Sequence, residues 1–204
     1  MKLYYGPASC SLAPHIALRE SGLPFELQKV DLRGKEQTSP EFLAKNPKGY
    51  VPVLETDSKE FITEVAVILQ YIADQKPGSG LAPEPKTLER YRLMEWLNFI
   101  ATELHKSLGV LWRKDLSDDT KNYAIENVKK RLTYVNERLS SNAFIAGTTF
   151  TIADAYLYTI LSWTAYLKFD VTPWPHVQKY MQKMVERPAV REALRAEGLL
   201  KEAA

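Results

Sequence analysis

Cys10 is the only cysteine in 204 residues, and it stands where the apolar segment Leu3-Tyr4-Tyr5 turns through Gly6-Pro7 into a helical pattern beginning near Ser11. A thiol at a helix N-terminus meets unpaired backbone N–H groups and the positive end of the helix dipole, and both favour thiolate over thiol. The position therefore points to a reactive sulfur, or to a site that binds one. A lone cysteine also serves often as a small buried hydrophobe, and that alternative stays open on position alone. Cys10-Ser11-Leu12-Ala13 carries alanine where a dithiol motif would have its second cysteine. Any redox cycle would draw on an external thiol.

Three other clusters could do chemistry. Val51-Pro52 falls where a strand is expected, although proline cannot donate to a sheet ladder. A cis bond there would turn the N–H and C=O of Val51 toward an extended ligand; an ordinary trans proline on an edge strand is the alternative. Thr63-Glu64 opens a helical pattern, so a carboxylate stands beside unpaired amides that include that of Val65. Such a helix start binds anions while the carboxylate pairs with an ammonium group, unless Thr63 or Glu64 simply caps the helix. Tyr91, Glu95, Asn98, Thr102, His105 and Gly109 recur at spacings of four and three, a polar stripe that is either solvated surface or the wall of a cleft. His15 and His176 read as packed or capping residues. Three dispersed histidines and one cysteine offer no metal-ligand spacing, and no phosphate or dinucleotide glycine motif is present.

The elements that would position these residues alternate in the first third of the chain. Lys2–Tyr5 reads as a strand, Ser11–Ser21 as a helix closed by Gly22 and Pro24, and Phe25–Val30 as a second strand. That order implies a parallel pair with a right-handed crossover. A loop with a short helical piece at Glu41–Lys45 follows. Tyr50–Glu55 and Glu60–Ile62 then read as a hairpin around Asp57-Ser58-Lys59, and Val65, Ile68, Leu69 and Ile72 fall on one helical face. Residues 77–86 are rich in Pro and Gly and read as a linker. Beyond it the pattern is helical: one long helix from Thr87 to about Trp112, a second from about Ser117 to Ser140, and an apolar third opened by a capping box at Thr151-Ile152-Ala153-Asp154. The expected organisation is an α/β domain at 1–76 followed by an all-α domain at 87–204.

With 45% hydrophobic and 25% charged residues and a net charge of +2, the composition is that of a soluble globular chain. Charges of both signs are interspersed, so neither a nucleic-acid nor a membrane partner is expected. Met1 to Pro7 breaks too early for a signal-peptide core, and one cysteine fits a reducing cytoplasm.

Together these segments make the chain similar to the bacterial beta-class glutathione S-transferases. The resemblance rests on Met1-Lys2-Leu3-Tyr4-Tyr5 leading to Cys10-Ser11-Leu12 and Pro14-His15-Ile16, on Asn46-Pro47-Lys48-Gly49-Tyr50-Val51-Pro52, and on Glu95-Trp96-Leu97-Asn98-Phe99-Ile100. Glu103-Leu104-His105-Lys106, Phe150-Thr151-Ile152-Ala153-Asp154-Ala155-Tyr156 and Ala196-Glu197-Gly198-Leu199 extend it to nearly the whole length. It implies a thioredoxin-like N-terminal domain, an all-helical C-terminal domain that completes the electrophile pocket, a homodimer, and glutathione as co-substrate with no metal. By the same resemblance Cys10 lies near the glutathione sulfur, Lys35 approaches the glycyl carboxylate, and Val51, before a cis proline, pairs with the cysteinyl part. Glu64 and the Val65 amide hold the γ-glutamyl end; Asn98, Thr102, Glu103, Leu104 and His105 complete the site. Relatives usually carry Ser or Gly after the acid, so Val65 removes one hydroxyl contact, worth about 1 kcal/mol.

The implied activity is transfer of the glutathione thiolate to small hydrophobic electrophiles in detoxification, with helix amides and the His105 imidazole lowering the thiol pKa and Cys10 beside the reacting sulfur. The competing functions are a glutathione-dependent thiol-disulfide oxidoreductase working through a Cys10 mixed disulfide, a non-catalytic carrier of apolar ligands, and a specialised lyase or dehalogenase. Trp112, Trp163 and Tyr166 are candidates for the electrophile pocket.

Overall fold

The computed structural model describes residues 1–200. Strand β1 (Lys2–Tyr5) sends alternate side chains to opposite faces, as the two-residue period of a strand requires. Leu3 and Tyr5 join the main core, while Tyr4 joins a smaller cluster with Val30, Phe42, Val51 and Val53. Helix α1 (Leu12–Ser21) ends at Gly22, whose left-handed conformation (φ 66°) lets its N–H reach the carbonyl of Arg19. The chain then returns as β2 (Glu26–Lys29), parallel to β1 with Leu3 opposite Leu27. A 3-10 turn (Glu36–Thr38) precedes α2 (Pro40–Leu43), which Ser39 caps by accepting from the Phe42 N–H. Strands β3 (Val53–Glu55) and β4 (Phe61–Thr63) form the hairpin, with β3 antiparallel to β1, so the sheet order is β2-β1-β3-β4. Helix α3 (Val65–Asp74) buries Ile68, Leu69 and Ile72, the face that the sequence spacing predicts.

The linker is not a loose tether. Leu81 is buried and its carbonyl accepts the Ile152 N–H at 2.9 Å. Arg90, at the start of the helical half, grips both oxygens of Asp74 at the end of α3, each at 2.9 Å. One continuous core runs from Leu3, Leu12 and Ile68 through Leu93 and Leu104 to Tyr156 and Leu194.

The long helix expected from Thr87 to Trp112 is interrupted. Helix α4 (Leu88–Phe99) passes into a π-helical segment, Ile100–His105, before α5 (Lys106–Val110). The segment spans two of three fully buried residues spaced four apart, Ile100, Leu104 and Leu108. Residues four apart in an α-helix drift by about 40° per step, and one wider turn brings them back to one line. The segment also sets the direction of the His105 side chain. Helix α6 (Asp118–Ser141) is capped by Ser117, and α7 (Ile152–Tyr166) lies buried on most sides, with α8 (Pro175–Glu186) packed against it and α9 (Pro188–Ala196) packed against α1 and α8. The capping box at α7 is present: the Asp154 carboxylate accepts the N–H and the hydroxyl of Thr151 at 2.9 and 3.0 Å. It also accepts the Ile145 N–H and the Tyr180 hydroxyl. No helix among the described residues is long and apolar enough to cross a membrane.

Candidate active site

The loop between β1 and α1 is held from the helical half of the chain. Ala8, at a left-handed φ of 61°, donates its N–H to Glu197 Oε2 at 3.2 Å, and its carbonyl accepts the Trp163 Nε1–H at 3.0 Å. Glu197 Oε1 lies 2.8 Å from His15 Nδ1, and Arg19 Nε donates to His15 Nε2 at 3.0 Å. The Arg19 proton requires a lone pair on Nε2, so Nδ1 carries the hydrogen that Glu197 accepts. His15 is thus a packed residue, as its place in the first helix predicts, and it links α1 to the carboxylate that anchors Ala8. Two positions later stands Cys10.

Cys10 is partly buried, and its Sγ–H donates to the Val51 carbonyl at 3.6 Å. The expectation of a thiolate there is overturned. Burial, opposed by the local backbone amide and reinforced by the Glu64 charge, pushes the thiol up to about 12. Loss of solvent outweighs the helix dipole because the apolar surface around the sulfur removes the water that would stabilise an anion. At neutral pH Cys10 is a thiol and a hydrogen-bond donor. The Val51-Pro52 bond is cis, as the family resemblance implied. Strand β3 begins only at Val53, and the Val51 N–H donates to no group among the described residues.

Glu64 precedes α3 with φ 71°, a left-handed conformation unusual outside glycine, and its side chain does not cap the helix. The capping alternative therefore falls. The carboxylate is instead turned to the cleft, where it accepts from Lys48 Nζ and, at 2.9 Å, from the Tyr50 hydroxyl. The Lys48 hydrogen bond, followed by that of Tyr50, holds its pKa below the usual carboxylate range despite partial burial. Val65 packs its side chain into the core, leaving only its backbone at the helix start. Lys48 and Tyr50 were not among the expected site residues, although both sit in the segment that ends in Val51-Pro52.

The opposite wall comes from the π-helical segment and α7. His105 Nδ1 lies 2.7 Å from the hydroxyl of the buried Tyr156, and its ring stands edge-on to Trp163 at 5.0 Å between centroids. Burial first, then the Lys106 charge, lowers the His105 pKa to about 4, with the Glu64 charge opposing. The imidazole is neutral at pH 7, so any part it plays in lowering a thiol pKa is that of a neutral hydrogen-bonding group. Trp112 lies 6.1 Å from Trp163 and 6.3 Å from Tyr166, so the three expected electrophile-pocket aromatics form one cluster beside His105. Asn98 and Thr102 are exposed on the polar stripe, the Thr102 hydroxyl donating to the Asn98 carbonyl. Glu103 pairs with Arg131 of α6 at 2.6 Å, and Leu104 is sealed in the core, so neither side chain faces the cleft freely. Lys35 is exposed at a left-handed φ of 61° at the start of the 3-10 turn, and its side chain pairs with no acid among the described residues. Among the described residues no group of His, Cys, Asp and Glu is arranged to hold a metal ion.

The arrangement can receive an extended, doubly charged thiol: a carboxylate and free amides at one end, an unpaired Val51 N–H in the middle, and a neutral imidazole beside an aromatic wall. The chain is similar to known proteins over nearly its whole length. The glutathione S-transferase N-terminal domain family matches residues 8–75 and the C-terminal domain family residues 99–188. Glutathione S-transferase GstA of Escherichia coli O157:H7 is 46% identical over 200 residues, covering 98% of this chain and 100% of its own. The sphingomonad glutathione S-transferase structure, complexed with glutathione, superposes with a TM-score of 0.92 at 47% identity, covering 98% of this chain and 100% of that one. The beta-class enzyme of Sphingomonas chungbukensis gives a TM-score of 0.92 at 45% identity with the same coverage.

Proposed function

The chain belongs to the glutathione S-transferase family and is similar to its bacterial beta class, and from that premise we propose how its residues divide the work. It is a glutathione transferase, with glutathione as co-substrate. On the proposed reading the γ-glutamyl ammonium pairs with Glu64, its carboxylate takes the α3 amides at Val65, and the cysteinyl backbone pairs with Val51. Lys35 approaches the glycyl carboxylate, and Asn98 and Thr102 close the site from the polar stripe. The sulfur then lies between the Cys10 thiol and His105, facing the cluster of Trp112, Trp163 and Tyr166. That cluster suits small hydrophobic electrophiles.

The observation that carries this reading is the placement of Cys10, whose Sγ lies 3.6 Å from the carbonyl of Val51 ahead of the cis proline. A thiol pushed up to about 12 is a poor nucleophile but still a donor, so it supports a glutathione sulfur held as the anion beside it. It argues against turnover through a Cys10 mixed disulfide, which needs the protein thiolate. Steady-state conjugation of glutathione to an aryl halide, run beside a disulfide-reduction assay, tests this. Cys10→Ala is expected to keep conjugation kcat/KM within about tenfold of wild type, the lower end of the scale for a hydrogen bond to a charged group, because S–H is a weak donor. Loss of a hundredfold or more would make Cys10 the essential nucleophile. Absence of both activities in wild type would leave the carrier function.

Glu64 and Lys48 form a half-exposed pair, their side chains 55% and 41% accessible. Such a pair contributes about 0–1 kcal/mol. Lys48 occupies the place of the incoming ammonium, so Lys48→Met is expected to lower the KM for glutathione up to about fivefold. A raised KM would mean that Lys48 holds a glutathione carboxylate instead.

A homodimer is supported by apolar side chains left exposed on two neighbouring parts of the surface. Phe61 and Val67 lie on β4 and α3, and Leu88, Tyr91 and Met94 lie on α4.

A further inference from the structure

Tyr156 is 2% exposed, and its hydroxyl meets one partner among the described residues, His105 Nδ1 at 2.7 Å. A phenol can donate or accept, and so can a neutral imidazole nitrogen. The environment decides between the two. If Nδ1 carried the hydrogen, the phenol would accept it and its own O–H would point into a buried region with no acceptor, which costs the full desolvation of that donor. With the O–H donating to Nδ1, the buried end of the pair, phenol and Nδ1, is satisfied. The ring proton then sits on Nε2, which no group among the described residues engages.

We propose that Tyr156 is a positioning residue for the transferase reaction: its buried hydroxyl fixes His105 in the Nε2–H tautomer, so that the ring presents a donor and not a lone pair to the glutathione sulfur. The proposal rests on the reading of His105 as lining the sulfur site. A neutral N–H donor stabilises a thiolate, whereas a lone pair in the same place would repel it. The π-helical segment turns the His105 side chain toward α7, and the edge-on Trp163 ring limits its rotation. Phenol, imidazole and indole therefore form one rigid unit between the buried helix and the cleft.

Tyr156→Phe removes one oxygen and keeps the packing volume. Nitrogen-15 spectra of histidine-labelled protein contain three rings, and the His105→Gln variant assigns the resonances of His105 by their absence. Wild type is expected to show the Nε2–H pattern with a hydrogen-bonded Nδ1, and Tyr156→Phe to lose that Nδ1 signature. In steady-state conjugation Tyr156→Phe is expected to lower kcat about tenfold with the KM for glutathione within about twofold. The same substitution in the His105→Gln background is expected to cause no further loss, because the ring through which it acts is gone. A wild-type Nδ1–H tautomer, or equal losses from Tyr156→Phe in both backgrounds, would overturn the proposal. If His105→Gln lowers kcat but Tyr156→Phe does not, the tautomer assignment fails and the site reading survives. An unaffected kcat in His105→Gln rejects the site reading and the proposal with it.

Discussion

Glu64→Gln is expected to raise the KM for glutathione by about 30- to 100-fold while leaving kcat within about threefold of wild type. An ionised hydrogen bond contributes about 1.5–3 kcal/mol, and the substitution removes the charge while preserving the shape and an acceptor for the Tyr50 hydroxyl. The carboxylate is ionised well below neutral pH, because Lys48 and Tyr50 both hydrogen-bond its charged form. The γ-glutamyl end is remote from the reacting sulfur, so its contacts bind substrate and transition state alike, which places the loss in KM. The backbone at Glu64 sharpens the case. A non-glycine residue at φ 71° carries a conformational cost, and such cost persists where the side chain is needed. Titration of glutathione by calorimetry, with kinetics on the same preparations, checks the division. A fall in kcat with unchanged KM would remove Glu64 from the binding end.

Asp154→Ala is expected to lower global stability by about 3–5 kcal/mol with no direct effect on glutathione contacts. The fully buried carboxylate accepts the Ile145 N–H at 2.8 Å, the Thr151 N–H and hydroxyl, and the Tyr180 hydroxyl at 3.2 Å. Truncation leaves those donors without partners in a dry core, at about 1–3 kcal/mol each before relaxation. Urea unfolding of the two proteins reads the difference. A loss below about 1 kcal/mol would mean that water or repacking replaces the carboxylate. The titration of the same group has a definite sign. Burial, the largest influence, raises its pKa to about 6 against the four hydrogen bonds that favour the anion. The unfolded carboxyl titrates near about 3.9, so the folded chain binds more protons between the two values. The contribution of Asp154 is most favourable below about pH 4 and declines as pH rises through about 6. Relative to Asp154→Asn, wild type is expected to lose up to about 3 kcal/mol across that window.

Much of the fold was legible because its punctuation is chemical. Gly22 and Pro24 close α1, Ser117 caps α6, and Thr151 with Asp154 opens α7, each doing locally what its type dictates. The π-helical segment is not legible in the sequence, because Ile100, Leu104 and Leu108 have the same spacing as Ala124, Val128 and Leu132 in the regular helix α6. At the site, Cys10, Val51, Glu64 and His105 stood out by type and position, but the protonation of two of them did not. The thiol of Cys10 and the ring of His105 are governed by how much water the assembled cleft excludes, which no local pattern records. Tyr156 lies in a segment that carries the family resemblance, and nothing in the spacing ties it to a histidine 51 positions earlier.

The clamp on Ala8 has a consequence for the order in which the protein is made. The first half of the contact emerges early in synthesis, and its acceptor on Glu197 lies 189 residues downstream. At about 5–20 residues per second the ribosome needs roughly 10–40 s to cover that distance. Once Asp74 has been made the sheet and its helices have all their residues, yet until Glu197 follows the loop bearing Cys10 lacks the carboxylate that anchors it. The nascent chain is thus assembled before it is armed, and the residue that follows the last described helix delivers the closing contact.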